Sequence, residues 1–258
     1  EGNAVVAIKK GSDIVWSYHI WVTDYDGSAT YANTYNTNNN GKNFVFMDRN
    51  LGATKAGLLT SSGTGANAGF GLFYQWGRKD PFPATLAPGA TQPGSGTFTA
   101  TATSSSNGTV AYTLKNPNTF LTAGSSSSYD WYYGSRDNAL WGHSGVKTIY
   151  DPCPSGWRVP KNSGMSEATS PWKGFTSSNG TWSYGYNWGT NTRYPAAGSR
   201  GNSSGSIGNE GSYGVYWSAS PSSSSSNNAS NLNVYSGYVR VDDSRGRATG
   251  LSVRCAQE

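Results

Sequence analysis

The chain has 258 residues, of which only 13% are charged and 14% aromatic, with 34 Gly, ten Trp and seventeen Tyr. Helix formers are scarce while Gly, Ser, Thr and Asn abound, which excludes a helical bundle, and the aromatic content excludes a disordered chain; a loop-rich β or α+β protein remains. The net charge of +5 is scattered, with no basic run beyond the pairs Lys9-Lys10 and Arg78-Lys79, so a solvated surface and not a nucleic-acid site is expected.

In chain order, residues 4–8 form an apolar run ended by a Lys9-Lys10-Gly11 turn. Residues 14–22, IVWSYHIWV, carry apolar side chains at both parities, the pattern of a strand buried on two faces. His19 within it reads as a core imidazole with a hydrogen-bond partner, because the only other histidine is His143 and two isolated histidines make no metal site. Asp24-Tyr25-Asp26-Gly27 reads as a turn; its carboxylates suit calcium, yet no further ligands follow at loop spacing. Residues 30–42 are a polar Asn/Thr-rich loop, and 44–51 a strand running into a structural Asp48–Arg49 ion pair. In residues 69–78, Phe70, Phe73, Tyr74 and Trp76 recur at helical spacing, predicting a short core helix over about 71–77, ended by Gly77 and the Pro81-Phe82-Pro83 corner. Residues 85–128 read as a low-complexity insertion with a weak hairpin over 96–114. YDPCPSGWRVP at 150–160 has three prolines and a glycine that force an irregular path around Cys153, with Trp157 able to cover it. A short helix over 161–169 and a Gly/Trp/Tyr-rich hairpin over 175–187 follow. RYPAAGSR at 193–200 then leads into a Gly/Ser/Asn loop over 201–211.

The last forty-odd residues organise the rest. Val215, Trp217, Leu232, Val234, Val239, Val241, Leu251 and Val253 alternate with polar residues, as in half-buried strands. Strands are predicted over 214–218, 231–235, 238–241 and 251–254, with a polar loop at 221–230 and a hairpin turn at Tyr235-Ser236-Gly237-Tyr238. By parity Val234, Val239 and Val241 point in, while Tyr235, Tyr238, Arg240 and Asp242 point out. Tyr, Ser, Asn, Asp and Arg on one surface make paratope-like chemistry, rigid aromatics beside adaptable hydrogen-bonding groups. The candidate ligand-binding residues are Tyr235, Tyr238, Arg240, Asp242, Asp243, Ser244 and Arg245, with Ser222, Ser224 and Asn227 and, from the preceding loop, Asn202, Ser203 and Ser204. The plainer alternative has the tyrosines flat on the sheet and Arg240 paired with Asp242 along the strand. The two cysteines, Cys153 and Cys255, read either as one disulfide in an oxidising compartment or as two buried thiols. No apolar run is long enough to span a bilayer, none has the pattern of a signal peptide, and the start Glu1-Gly2-Asn3 reads as that of a processed or truncated piece.

An ordered set of motifs resembles a known family: HIWVTDYD (19–26), FMDRNLGA (46–53), GLFYQWGRKDPFP (71–83), YDPCPSGWRVP (150–160), YPAAG (194–198), GVYWSAS (214–220) and GLSVRC (250–255). Together they are similar to the Fibrobacter succinogenes major paralogous domain found in fimbrillin-type surface lipoproteins of Bacteroidales, and they cover nearly the whole chain. The resemblance implies a single α+β domain of C-type-lectin-like fold over 1–258: small twisted antiparallel sheets, one or two short helices and long Gly/Ser-rich loops. It implies that N- and C-terminal strands pair, that a second small sheet and the loops carry the binding face, and that Cys153 bonds Cys255. A narrower resemblance is to the variable proteins of diversity-generating retroelements, where adenine-directed mutagenesis rewrites asparagine codons near the C-terminus and leaves the apolar framework intact. Here the variable region would be about 199–249, an ordinary polar strand face with a serine-rich loop being the plainer reading. The tripeptides of calcium-dependent lectins are missing: Gln92-Pro93-Gly94 lacks the acid and no Trp-Asn-Asp occurs. The reactive cysteine pair of the related formylglycine-generating enzymes is also not expected, both cysteines being better used in a disulfide.

Three functions follow as expectations. The first is an extracellular adhesin or receptor-binding module at the cell surface, lipid-anchored or at a pilus tip, binding a host or bacterial surface protein or glycan. The second is a structural pilus or fimbrial subunit within a larger assembly. The third, a glycan-active enzyme, is disfavoured: the fourteen acids are dispersed, and GxSxG, HExxH, P-loop and dinucleotide motifs are missing. No cofactor, no essential metal, no nucleic acid and no direct membrane insertion are expected.

Overall fold

A computed structural model describes residues 1–33, 43–56, 67–84, 98–123, 129–134, 136–163, 166–188 and 192–258. These residues are mostly β, with one short α-helix. β1 (Gly2–Lys10) and β2 (Asp13–Val22) form an antiparallel hairpin whose turn uses Gly11 at φ 63°, with a bulge between Ile8 and Lys9. β3 (Thr30–Asn33) and β4 (Phe44–Met47) pair antiparallel. β5 (Leu72–Gln75) pairs with β6 (Phe82–Pro83). β7 (Thr99–Ala102), α1 (Val110–Lys115) and β8 (Thr119–Thr122) form a unit whose two strands run parallel. The helix starts at Thr109, whose side chain accepts from the Tyr112 backbone N–H, the usual role of a Thr N-cap. β9 (Trp157–Arg158) follows, then a three-stranded sheet of β10 (Gly180–Trp182), β11 (Gly185–Trp188) and β12 (Thr192–Pro195). The chain closes with β13 (Ser199–Arg200), β14 (Ile207–Gly208), β15 (Tyr213–Pro221), β16 (Asn228–Tyr235), β17 (Tyr238–Gly246), β18 (Gly250–Ser252) and β19 (Ala256–Gln257).

The main sheet runs β14-β13-β18-β15-β16-β17, with β5 and β6 joined through β18. β15 and β16 are buried on both faces. On one face Val215, Trp217, Ala219 and Ala229 pack with Tyr74, Trp76, Trp141 and the cystine; on the other Tyr216, Leu232 and Val234 pack with Phe46, Trp172, Phe175 and Tyr194. Burial on two faces explains why apolar alternation marks these strands imperfectly.

The Cys153–Cys255 disulfide forms, across 102 residues with 5.9 Å between Cα atoms. Around it Asp151 accepts from the Cys153 and Val159 N–H groups, and the Lys147 ammonium donates to the Cys153, Pro154 and Trp157 carbonyls. Buried arginines anchor other irregular segments. Arg254 donates to Asn50 Oδ1 and the Met47 and Arg193 carbonyls while lying over the Tyr194 ring. Arg158 donates to the Trp141, Gly142 and Gly145 carbonyls. Loops buried in this way must have their backbone acceptors satisfied, and a planar five-donor guanidinium does so for several carbonyls at once.

Several expectations need correction. Residues 71–77 are not helical: β5 is a strand buried on both faces and flanked by Gly71 and Gly77 at φ 72° and 86°, although Phe70, Phe73, Tyr74 and Trp76 do enter the core. β2 is not buried on two faces; Val15, Tyr18, Ile20 and Val22 are exposed. The loop foreseen over 30–42 begins as strand β3, and 34–42 lie outside the described residues. The hairpin foreseen over 96–114 is instead β7 followed by α1. Residues 98–123, within the low-complexity stretch, pack into the body: Phe98 and Phe120 meet Phe82, and Gln75 Nε2 donates to the Leu121 carbonyl. Residues 85–97, with Gln92-Pro93-Gly94, and 124–128 lie outside the description. Residues 161–169 hold only a 3-10 turn at Glu167–Thr169. The loop foreseen over 221–230 is shorter, because β16 begins at Asn228, and β17 extends five residues past Val241. The first strand pairs with β2, whereas the last pairs with β4 and β9, so the implied pairing of the two ends is not seen. No helix among the described residues is long and apolar enough to cross a membrane.

Candidate functional site

The C-terminal strands place the candidate residues. β16 and β17 meet in a two-residue turn at Ser236-Gly237, with Gly237 at φ 75°. The register aligns Tyr213, Tyr235 and Tyr238 across three strands. Tyr213 and Tyr235 rings are 4.7 Å apart, and Tyr235 and Tyr238 stack at 4.4 Å with planes 18° apart. One row inward Arg240 lies opposite Asn233, and Asp243 opposite Asn231. Directly opposed residues share a face, so Tyr213, Tyr235, Tyr238, Arg240, Asp243 and Arg245 lie on one side of the sheet.

A bulge sets that arrangement. Between the pairs Asn233–Arg240 and Asn231–Asp243 one residue of β16 faces two of β17. Val241 and Leu232 are both buried in the opposite core, so Asp242 is the extra residue. Simple alternation would put 238, 240, 242 and 244 on one face; the bulge makes the series 238, 240, 243 and 245. Asp242 is thereby corrected from a face residue to a bulge residue, and Ser244 lies opposite Ser230, on the other side.

The predicted set divides into three places. Tyr235, Tyr238, Arg240 and Asp243 come together at the turn end. Ser222, Ser224 and Asn227 sit in the loop at the opposite end of β16, about 23 Å away along eight strand residues; Arg245 and Ser244 approach that loop, with Asn228 Nδ2 3.5 Å from Ser244 Oγ. Asn202, Ser203 and Ser204 do not join either group. They follow β13, four strand spacings from β17, roughly 19 Å across the sheet, where the Asn202 carbonyl accepts from the Ala123 N–H. Tyr213 was missed from sequence; pairing the two strands that flank the serine-rich loop would have found it opposite Tyr235.

Arg240 is exposed, its Nε 3.5 Å from Asp242 Oδ1 and its Nη1 3.9 Å from Asp243 Oδ1. A hydrogen bond with Tyr238 and the Asp243 and Asp242 charges hold its guanidinium above the ordinary arginine value. Asn233 Nδ2 donates to Asp243 Oδ2 at 2.9 Å. The Tyr235 hydroxyl is pushed up by desolvation and by the neighbouring Tyr238 and Tyr213 phenols. Asn231 is fully buried with neither amide atom hydrogen-bonded, an unsatisfied polar group beneath Asp243 of the kind that ordinarily costs about 1–3 kcal/mol. Val239, Arg240, Val241 and Asp242 of β17 also line an open groove of about 400 Å³ with Phe175, Thr176 and Ser177.

Titratable side chains also cluster elsewhere in the fold. Lys79 Nζ, Ser17 Oγ and Asp80 Oδ1 form a buried trio beneath β2. Burial pushes Asp130, flanked by Arg136 and Arg247, and Asp151 up to about 6. Asp48–Arg49 forms the foreseen ion pair at 2.8 Å, and Arg49 also bonds Asp24. Among the described residues no group of three or more His, Cys, Asp and Glu is placed to hold a metal ion. No family model, curated protein or solved structure matches the chain.

Proposed function

We propose that the chain is an extracellular ligand-binding module, an adhesin or receptor-binding protein, whose binding face is the turn end of β15, β16 and β17. The carrying observation is the Tyr213–Tyr235–Tyr238 ladder beside exposed Arg240 and half-buried Asp243, mounted on strands buried on both faces. Stacked tyrosines offer large contact area with little side-chain entropy left to lose, and the guanidinium and carboxylate supply directional contacts; Tyr and Arg dominate binding hot spots. The doubly packed scaffold separates framework from face: side chains at 235, 238 and 240 belong to neither core, while Asp243 is tied to buried Asn233. Such a division suits a surface diversified in the manner of retroelement variable proteins on a C-type-lectin-like domain, with a host or bacterial surface protein or glycan as ligand. The buried cystine supports an oxidising, extracellular setting.

Replacing Tyr235, Tyr238 and Arg240 together by Ala tests the reading. Stability should stay within about 2 kcal/mol of the parent, as for other surface changes, and binding to a ligand identified from a surface-protein panel or glycan array should be abolished. A triple variant that binds unchanged, or one that unfolds, removes these residues from the role.

A further inference from the structure

β17 is the last strand of the main sheet, and among the described residues no strand pairs with its outer edge. The two-residue turn at Ser236-Gly237 makes Tyr235–Tyr238 a pair that exchanges both backbone hydrogen bonds, and by alternation Asn233–Arg240 is the next such pair. Val239 stands between them and is turned the other way, so its N–H and C=O both point off the sheet. The Val241 carbonyl points the same way, and there Ser170 Oγ donates to it. Among the described residues nothing bonds the Val239 backbone on that side. The bulge and the Ser170 hydroxyl thus close the edge after Val241, as edges are commonly guarded, and leave Val239 open.

The groove of about 400 Å³ follows this edge. It touches Val239, Arg240, Val241 and Asp242 in a row, and because successive side chains alternate between faces, a cleft that meets consecutive residues must run along the flank of the strand. Phe175 and Val241 line it and are buried in one core, against which Val239 also packs, so its base is apolar. Exposed Thr176 and Ser177 complete the lining. We propose that this groove binds an extended peptide segment of another protein by strand addition to β17. One peptide residue exchanges both hydrogen bonds with Val239. Directly paired residues share a face, so its side chain falls beside Val239 and over Phe175, where an apolar group is preferred. The main chain chooses the occupant: an unused N–H and C=O on one strand residue, set in a cleft of apolar base, is matched by the same two groups of an extended backbone and not by a glycan. The site lies on the flank of β17, whereas the tyrosine ladder stands on a face of the sheet, so the inference goes beyond the reading above and does not rest on it.

The test pans a phage-displayed library of random peptides, about twelve residues long, on the parent chain and titrates the enriched peptides, made synthetically, by fluorescence polarisation. Enriched peptides should carry apolar residues at alternate positions. Val239→Pro removes only the outward N–H, a change that edge strands tolerate, and should weaken binding about tenfold, the loss of one hydrogen bond. Should that variant fail to fold, Ser177→Arg at an exposed position fills the groove and should weaken binding as much. N-methylation along the peptide needs no variant: it should cost about tenfold at the residue paired with Val239 and little at its two neighbours, whose N–H groups point away from β17. A library that yields no binder, a flat N-methyl scan, or binding indifferent to both Val239→Pro and Ser177→Arg overturns the proposal. Peptides released by Tyr235→Ala and not by the groove variants bind the tyrosine face; that result overturns the groove and leaves the reading of the face standing.

Discussion

At the scale of single residues, the buried polar groups sort into those with a complete set of partners and those without. His19 is of the first kind. Its Nε2 donates to Asn3 Oδ1 at 2.8 Å, Asn3 Nδ2 being committed to the Gly52 carbonyl, and Tyr74 Oη donates to Nδ1 at 3.2 Å. That arrangement needs a neutral ring, and burial lowers the imidazole to about 4. The stability contributed is present above the unfolded value near 6.5 and is lost as pH falls through about 4, because the unfolded chain takes up the proton first. About 3 kcal/mol is at stake by the usual conversion. His19→Gln should therefore lose stability relative to the parent near pH 7 and converge on it near pH 4. Asp130 and Asp151, raised by burial, act in the opposite sense between about 4 and 6, so the comparison must be made as a difference between the two proteins. Parallel urea-unfolding curves for parent and variant over that range would dismiss a neutral His19. Asn231, with neither amide atom satisfied, is of the second kind, and it lies opposite Asp243, where a ligand contacting the face would come nearest to it.

At the scale of elements, what was legible depended on whether periodicity had a solvent side to contrast with. The C-terminal strands were read correctly in kind and order because Val234, Val239 and Val241 alternate with tyrosine and charge. β5 was misread as helix because Phe70, Phe73, Tyr74 and Trp76 are all buried, and a strand covered on both faces has no polar phase to reveal its period of two. β2 fails the other way: its apolar outer face promised a second covering layer that the described residues do not supply. The bulge in β17 was invisible, since a single extra residue has no compositional mark; only the pairing of Asp243 with Asn231 exposes it. Its consequence is measurable. Deleting Asp242 should leave Val241 opposite Leu232 and Asp243 opposite Asn231, with stability changed by about 1 kcal/mol, in the range of ordinary substitutions. Deleting Val241 instead should set a carboxylate against Leu232 in the core and cost about 3 kcal/mol or more. Equal losses by denaturant titration would mean that the extra residue lies elsewhere in the strand.

At the scale of the whole molecule, the disulfide encloses β9 through β18 and so the entire candidate face. Its two ends differ in kind: Cys153 sits in a proline-bounded loop braced by Asp151 and Lys147, whereas Cys255 immediately precedes β19, between β4 and β9. Both cysteines are buried in the core that also holds Trp76, Trp141 and Trp217. A covalent tie across 102 residues limits the unfolded chain strongly, and the chain-entropy treatment gives about 4.7 kcal/mol as an upper figure. For a chain of this size each kcal/mol moves Tm by about 2–4 °C, so the reduced protein should melt roughly 10 °C lower. Burial adds a kinetic expectation, since thiol–disulfide exchange needs access to a sulfur. Dithiothreitol under native conditions should leave the bond intact for hours, while the same reagent in urea should reduce it at once. Alkylation and intact mass report the state of the bond, and a melting curve of the fully reduced, refolded protein reports its worth. A fall below about 2 °C would show that the packing of Val253, Trp217 and Ala229 around the cystine already fixes the ends of this loop without the bond.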